Sequence, residues 1–94
     1  MKPVTRQGDI HSGHQCFPPT PAIQGSTNVI TNGRQTMRVG DKFKPHGCPK
    51  PHPVIAATGY SKVVVNGKHI VRISSKTACS ATVVMGSPNV IAGG

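Results

Sequence analysis

The sequence predicts an all-β domain made of three short β-hairpin-like repeats about a pseudo-threefold axis. Three observations carry that expectation. A nine-residue block recurs, Asn-Gly pairs close two of its copies, and no stretch of useful length shows helical spacing of apolar residues. Gly25-Ser26-Thr27-Asn28-Val29-Ile30-Thr31-Asn32-Gly33 matches Gly86-Ser87-Pro88-Asn89-Val90-Ile91-Ala92-Gly93-Gly94. Between them lies Gly59-Tyr60-Ser61-Lys62-Val63-Val64-Val65-Asn66-Gly67. The β-branched residues at each centre favour a pleated, half-buried surface. Asn32-Gly33 and Asn66-Gly67 tolerate the positive φ that a tight hairpin turn demands.

A second strand ending in Arg follows the first two turns, Gln35-Thr36-Met37-Arg38 and His69-Ile70-Val71-Arg72. The N-terminus supplies an equivalent ending, Pro3-Val4-Thr5-Arg6. Gly8-Asp9 and Gly40-Asp41 turn the chain after two of these strands, and Ser74-Ser75 stands in the third place. One short hairpin cannot bury its own apolar face, so the three units must pack on one another.

Length and composition limit what holds such a fold together. The 94 residues suit a single domain, residues 1–94, with 35% hydrophobic residues, no Trp, two Phe and one Tyr. With 11 Gly and 9 Pro, the chain has little bulky apolar volume to set against its ordering entropy. A staple is expected. Three cysteines do not close a disulfide framework, and Met1-Lys2-Pro3-Val4 is not followed by the apolar region of a signal peptide. Synthesis in a reducing cytoplasm is therefore expected, where Cys and His clusters point to metal.

The net charge is +9, and Asp9 and Asp41 are the only acidic residues. Each sits in a turn, which argues against paired-carboxylate catalysis and against an enzyme. A small basic zinc-binding module that binds nucleic acid is the alternative reading. Scattered basic residues, few aromatics for base stacking and the lack of paired Cys-x-x-Cys knuckles count against it.

The loops between the repeats, residues 8–22, 40–56 and 74–84, hold nearly all the His and Cys. Counted from the strand-ending Arg, His14 lies eight residues after Arg6, His46 eight after Arg38 and Cys79 seven after Arg72. Counted back from the strand-opening Gly, His52 lies seven before Gly59 and Cys79 seven before Gly86. Equivalent loops converge at one end of a threefold prism, so His14, His46, His52 and Cys79 are expected to meet as a tetrahedral set. A shell closed by four protein ligands implies one structural ion, zinc more readily than iron. Structural zinc contributes roughly 10–16 kcal/mol of apparent binding free energy in small peptides. Cys48 is the main rival to His52, Cys16 and His11 are weaker candidates, and His69 lies apart in a strand.

Pro3-Val4-Thr5-Arg6 resembles the Pro-Ala-Ala-Arg motif of the PAAR-repeat family, with Gln35-Thr36-Met37-Arg38 and His69-Ile70-Val71-Arg72 in the same register. Arg38-Val39-Gly40-Asp41, Asn32-Gly33-Arg34 and Lys76-Thr77-Ala78-Cys79 are also similar to that family, although no copy reads Pro-Ala-Ala-Arg in full. The resemblance implies a small three-sided pyramid with zinc near its apex. Its base would cap the trimeric β-helical spike of a type VI secretion system (the valine-glycine-repeat protein) or of a contractile phage tail. One tip per trimer would meet the target-cell membrane transiently. Arg6, Arg38 and Arg72 would stand near the base as partner-binding candidates. Ending at Gly93-Gly94, directly after the third block, the chain is expected to be a bare tip. Any effector would be recruited separately. The tip would be delivered extracellularly on its spike or carried in a virion baseplate.

Overall fold

Asn32-Gly33 and Asn66-Gly67 both adopt φ of 54° and 78°, the two successive positive values of a two-residue hairpin turn. They join β2 (Ile30–Thr31) to β3 (Arg34–Gln35) and β6 (Tyr60–Val65) to β7 (Lys68–Ile70). The computed structural model describes residues 2–13, 18–47 and 51–93, and among these the chain is all-β, without a helix. No helix there is long and apolar enough to cross a membrane.

The third block completes its hairpin across the chain ends. β8 (Ile91–Ala92) pairs antiparallel with β1 (Lys2–Pro3), placing Lys2 opposite Ala92 and Pro3 opposite Ile91. The N-terminal Arg-ended segment therefore serves the last block.

The structure sharpens one expectation and corrects another. The strands in the first and third blocks are only two residues long. Ser26 Oγ takes the backbone N–H of Asn28 and Val29, and Ser87 Oγ takes those of Asn89 and Val90, which diverts these donors from a ladder. The middle block has Tyr60 in place of that serine and keeps a six-residue strand. Secondly, residues 40–56 are not all loop. β4 (Lys42–Gly47) pairs with β5 (Pro51–Ile55), with buried Phe43 opposite buried Val54.

The Arg-ended segments interlock. Thr5 N–H donates to Val71 C=O at 2.9 Å, Val71 N–H to Met37 C=O at 3.0 Å, and Met37 N–H to Thr5 C=O at 3.0 Å. Each of these residues precedes its Arg, so the ring closes on itself through three equivalent positions. Two residues further along each chain segment, Gln7, Val39 and Ile73 donate to Gln35, His69 and Pro3, in the opposite cyclic order. Around this ring lie Ala22, Met37, Phe43, Val54, Val71 and Val83, and a second cluster gathers Val4, Val65, Ile70 and Ala92. Small aliphatic side chains thus bury the polar ring that joins the repeats.

The strand-opening glycines are needed for close approach. A Cβ on Gly59 would lie 2.6 Å from Ile70 O and 2.8 Å from Val39 Cγ2. Backbone cannot yield as a flexible side chain can, so Gly59→Ala is expected to destabilise by about 1–3 kcal/mol. A thermal melt unchanged within error would contradict this close contact.

Candidate metal centre

The β4–β5 hairpin builds most of the site. His46 and His52 are direct cross-strand partners in its register. Side chains so placed share one face within contact range, and the His46 and His52 Nε2 atoms face each other at 2.5 Å. Cys79 arrives from the third loop. Ala78 N–H donates to Ile55 C=O at 2.9 Å, and Thr77 bridges Ala56, which lays this loop beside β5. Ser80, at φ 74°, reverses the chain there. Cys79 Sγ stands 3.9 Å from His46 Nε2.

One ligand atom from each of His46, His52 and Cys79 lies within 4.8 Å of the others. His46 is buried, and the other two are half-buried. Borderline-soft imidazole nitrogens and a thiol sulfur converging at this spacing suit a metal ion. Neighbouring groups support the same use. His46 Nδ1–H donates to Pro18 C=O at 2.9 Å, which leaves its lone pair on Nε2, toward the cluster. Thr77 Oγ1 accepts from Ala81 N–H at 3.0 Å and stands 3.3 Å from Cys79 Sγ, so its own proton is available to that sulfur. That hydrogen bond would steady a thiolate. Cys79 is a free cysteine packed against the core.

Three of the four predicted ligands are therefore brought together. His14 lies outside the described residues, as do the rival cysteines Cys16 and Cys48. His69 is exposed on β7, away from the cluster, as its strand position suggests.

His11 has a role that its weak ligand spacing did not reveal. It is fully buried, its Nε2–H donates to Thr20 Oγ1 at 2.7 Å, and its Nδ1 accepts from Gly13 N–H at 2.8 Å. Its ring packs edge-on against Phe43 and His46, with centroids at 4.9 and 5.2 Å. The ring thus clamps the first loop onto the site. Thr77 was also missed, and its only sequence signal is a hydroxyl two residues before Cys79.

The strand-ending arginines find partners within the chain. Arg6 Nε and Nη2 grip the Asp9 carboxylate at 3.0 Å each, and Arg38 does the same to Asp41 at 2.8 and 2.9 Å. The hydrogen bonds donated to each carboxylate raise the pKa of the guanidinium that makes them, against the lowering effect of burial. Arg72 instead bonds the carbonyls of Ala92 and Gly93 and lies 4.0 Å over the Tyr60 ring.

Residues 20–85 match the family model for the PAAR motif. The chain is also similar to two toxins from two strains of Pseudomonas aeruginosa. These are the NAD(P)(+) glycohydrolase toxin Tse6 and the (p)ppApp synthetase toxin Tas1, each 40% identical over 79 residues. Either match covers 77% of this chain but only 18% of the relative, so the toxin activities in those names are properties of the larger proteins. The PAAR motif is a structural spike-tip module and not a catalytic domain. The motif match, three interlocked Arg-ended segments and a His/Cys cluster between loops lead to one conclusion: the chain belongs to the PAAR motif family.

Proposed function

We propose that this chain is a structural tip that caps and sharpens the blunt end of a trimeric β-helical spike in a contractile injection machine. The match of residues 20–85 to the PAAR motif carries the reading. Together with the toxin relatives, it supports a spike-tip role in type VI secretion, with a phage tail as the sister setting.

The ring of hydrogen bonds through Thr5, Met37 and Val71 supports a pseudo-threefold pyramid, the symmetry that one chain needs to meet a trimer. The hairpins supply a surface for that meeting. Ile30, Val64 and Ile91 occupy the same place in the three blocks and are 53, 56 and 50% exposed. Alternation turns Thr31, Val65 and Ala92 inward beside them. Three equivalent apolar side chains left at the surface suit a trimeric partner, and the short strands offer edges for β-augmentation. Arg6, Arg38 and Arg72 brace the hairpins at this contact.

One zinc ion at His46, His52 and Cys79, with His14 as the expected fourth ligand, would stiffen the opposite vertex against mechanical thrust. The tip would be made in the cytoplasm and leave on its spike, puncturing the target membrane and carrying effectors attached to it or to the spike.

The test is stoichiometric. Mixed with a trimeric spike protein, the chain is expected to bind at one tip per three spike chains. Ile30→Asp, Val64→Asp and Ile91→Asp are each expected to weaken the complex at least tenfold without lowering thermal stability. Three tips per trimer, or full binding by all three variants, would refute pseudo-symmetric capping.

A further inference from the structure

Arg72 occupies the place of Arg6 and Arg38, but the carboxylate that those two hold is missing from its repeat. The backbone there is otherwise conserved. Ser75 N–H donates to Arg72 C=O at 3.0 Å, as Asp9 does to Arg6 and Asp41 to Arg38. Ser74 keeps a φ of 81°, close to the 96° of Gly8 and Gly40, although a serine is strained in that region. Its N–H reaches Val83 C=O as the two glycines reach Ala22 and Ala56. Ser75 Oγ accepts from Arg72 N–H at 3.2 Å, the bond that a carboxylate oxygen takes in the other repeats.

The guanidinium is equivalent too. In every repeat Nη1 points to the end of the block, reaching Asn32, Asn66, or the carbonyls of Ala92 and Gly93. Nε and Nη2 form the edge that grips Asp9 and Asp41 in the first two repeats. Among the described residues no hydrogen bond is made to that edge of Arg72. Arg72 lines a pocket of about 120 Å³ together with Lys2, Thr58, Gly59, Ile73, Ser74 and Ser75. Asp9 and Asp41 are the only acidic side chains in the chain, and both are engaged, so no side chain of this protein can fill the gap. Thr58 Oγ1 accepts from Lys76 N–H and Ser75 Oγ from Arg72 N–H, which leaves both hydroxyl protons to donate.

We propose that this pocket is an oxyanion subsite, where Arg72, Lys2 and the hydroxyls of Thr58 and Ser75 bind a carboxylate or phosphate group from outside the chain in the place that Asp9 and Asp41 fill in the other repeats. A bidentate guanidinium, an ammonium and two hydroxyl donors make the recognition set for such an anion. The inference does not depend on the spike-tip reading, because it concerns the third repeat alone.

Nuclear magnetic resonance of the intact chain tests it with internal controls. Titration with acetate, and separately with inorganic phosphate at constant ionic strength, is expected to shift the Arg72 Nε–H resonance saturably. The Ser74 and Ser75 amides should follow, while Arg6 and Arg38 Nε–H stay in place. Tighter acetate binding assigns a carboxylate donor, such as an acidic side chain, and tighter phosphate binding assigns a phosphorylated one. Lys2→Gln, at an exposed position, is expected to weaken binding several-fold. Ser75→Asp is expected to abolish it and raise the melting temperature by several degrees, because it restores the missing pair. An Arg72 edge unresponsive to both anions, or responding no more than Arg6 and Arg38, would overturn the proposal. So would a Ser75→Asp chain that still binds.

Discussion

Cys79→Ala is expected to strip the metal and lower the melting temperature by roughly 10–20 °C. Sγ is the one sulfur among the described ligand candidates, and it reaches the site from a different loop than His46 and His52. Removing it frees the third loop from the β4–β5 hairpin. Loss of two decades in metal affinity corresponds to about 3 kcal/mol, and each kcal/mol shifts the melting point of a domain this size by about 4–8 °C. His46→Ala is expected to act at least as strongly, because that ring is buried and also packs against His11. His69→Ala, on an exposed strand position, is the control that should change neither quantity. Elemental analysis of the parent should find about one metal ion per chain, with a matching loss in the variants. Unchanged metal content in Cys79→Ala would remove the cluster from the account.

Asp9→Ala is the second large effect, expected at about 3–5 kcal/mol. The Asp9 carboxylate is fully buried and accepts from Arg6 N, Nε and Nη2, with Arg34 Nη1 3.6 Å away. Truncation leaves a guanidinium with only 9% of its side chain exposed and without its counter-charge. In a chain whose whole stability is on the order of 5–15 kcal/mol, much of the margin disappears. Asp41→Ala is expected to cost less, because the Arg38 side chain is 14% exposed and no second arginine shares the carboxylate. Denaturant unfolding of both variants measures the difference. Equal and small losses, under about 0.5 kcal/mol, would show that these pairs are no better than surface ion pairs.

The two arginine pairs also explain why the third repeat survives without one. Arg72 is only half-buried, has two carbonyl acceptors and lies on the Tyr60 ring, so its charge is compensated by dipoles and a π face rather than by a carboxylate. At position 9 the loss of the carboxylate would leave Arg6 only its longer bonds to Asn32 Oδ1 and Gly86 C=O, at 3.3 and 3.4 Å.

Much of this was legible in the linear order of residues. The all-β class, the two Asn-Gly turns, the Arg-ended segments and the convergence of His46, His52 and Cys79 follow from local chemistry recurring at fixed spacing. Turn propensity and ligand type are properties of single residues, so a repeat displays them directly. Other features needed the folded chain. Ser26 and Ser87 shorten the outer strands by capturing backbone donors, and Tyr60 spares the middle one. Pairing of β1 with β8 closes the third hairpin across the chain ends, and His11 turns inward to brace its neighbours. These outcomes depend on which donors meet which acceptors across distant segments. Periodicity does not encode that competition, which is settled only when distant segments pack, as they do in the ring through Thr5, Met37 and Val71.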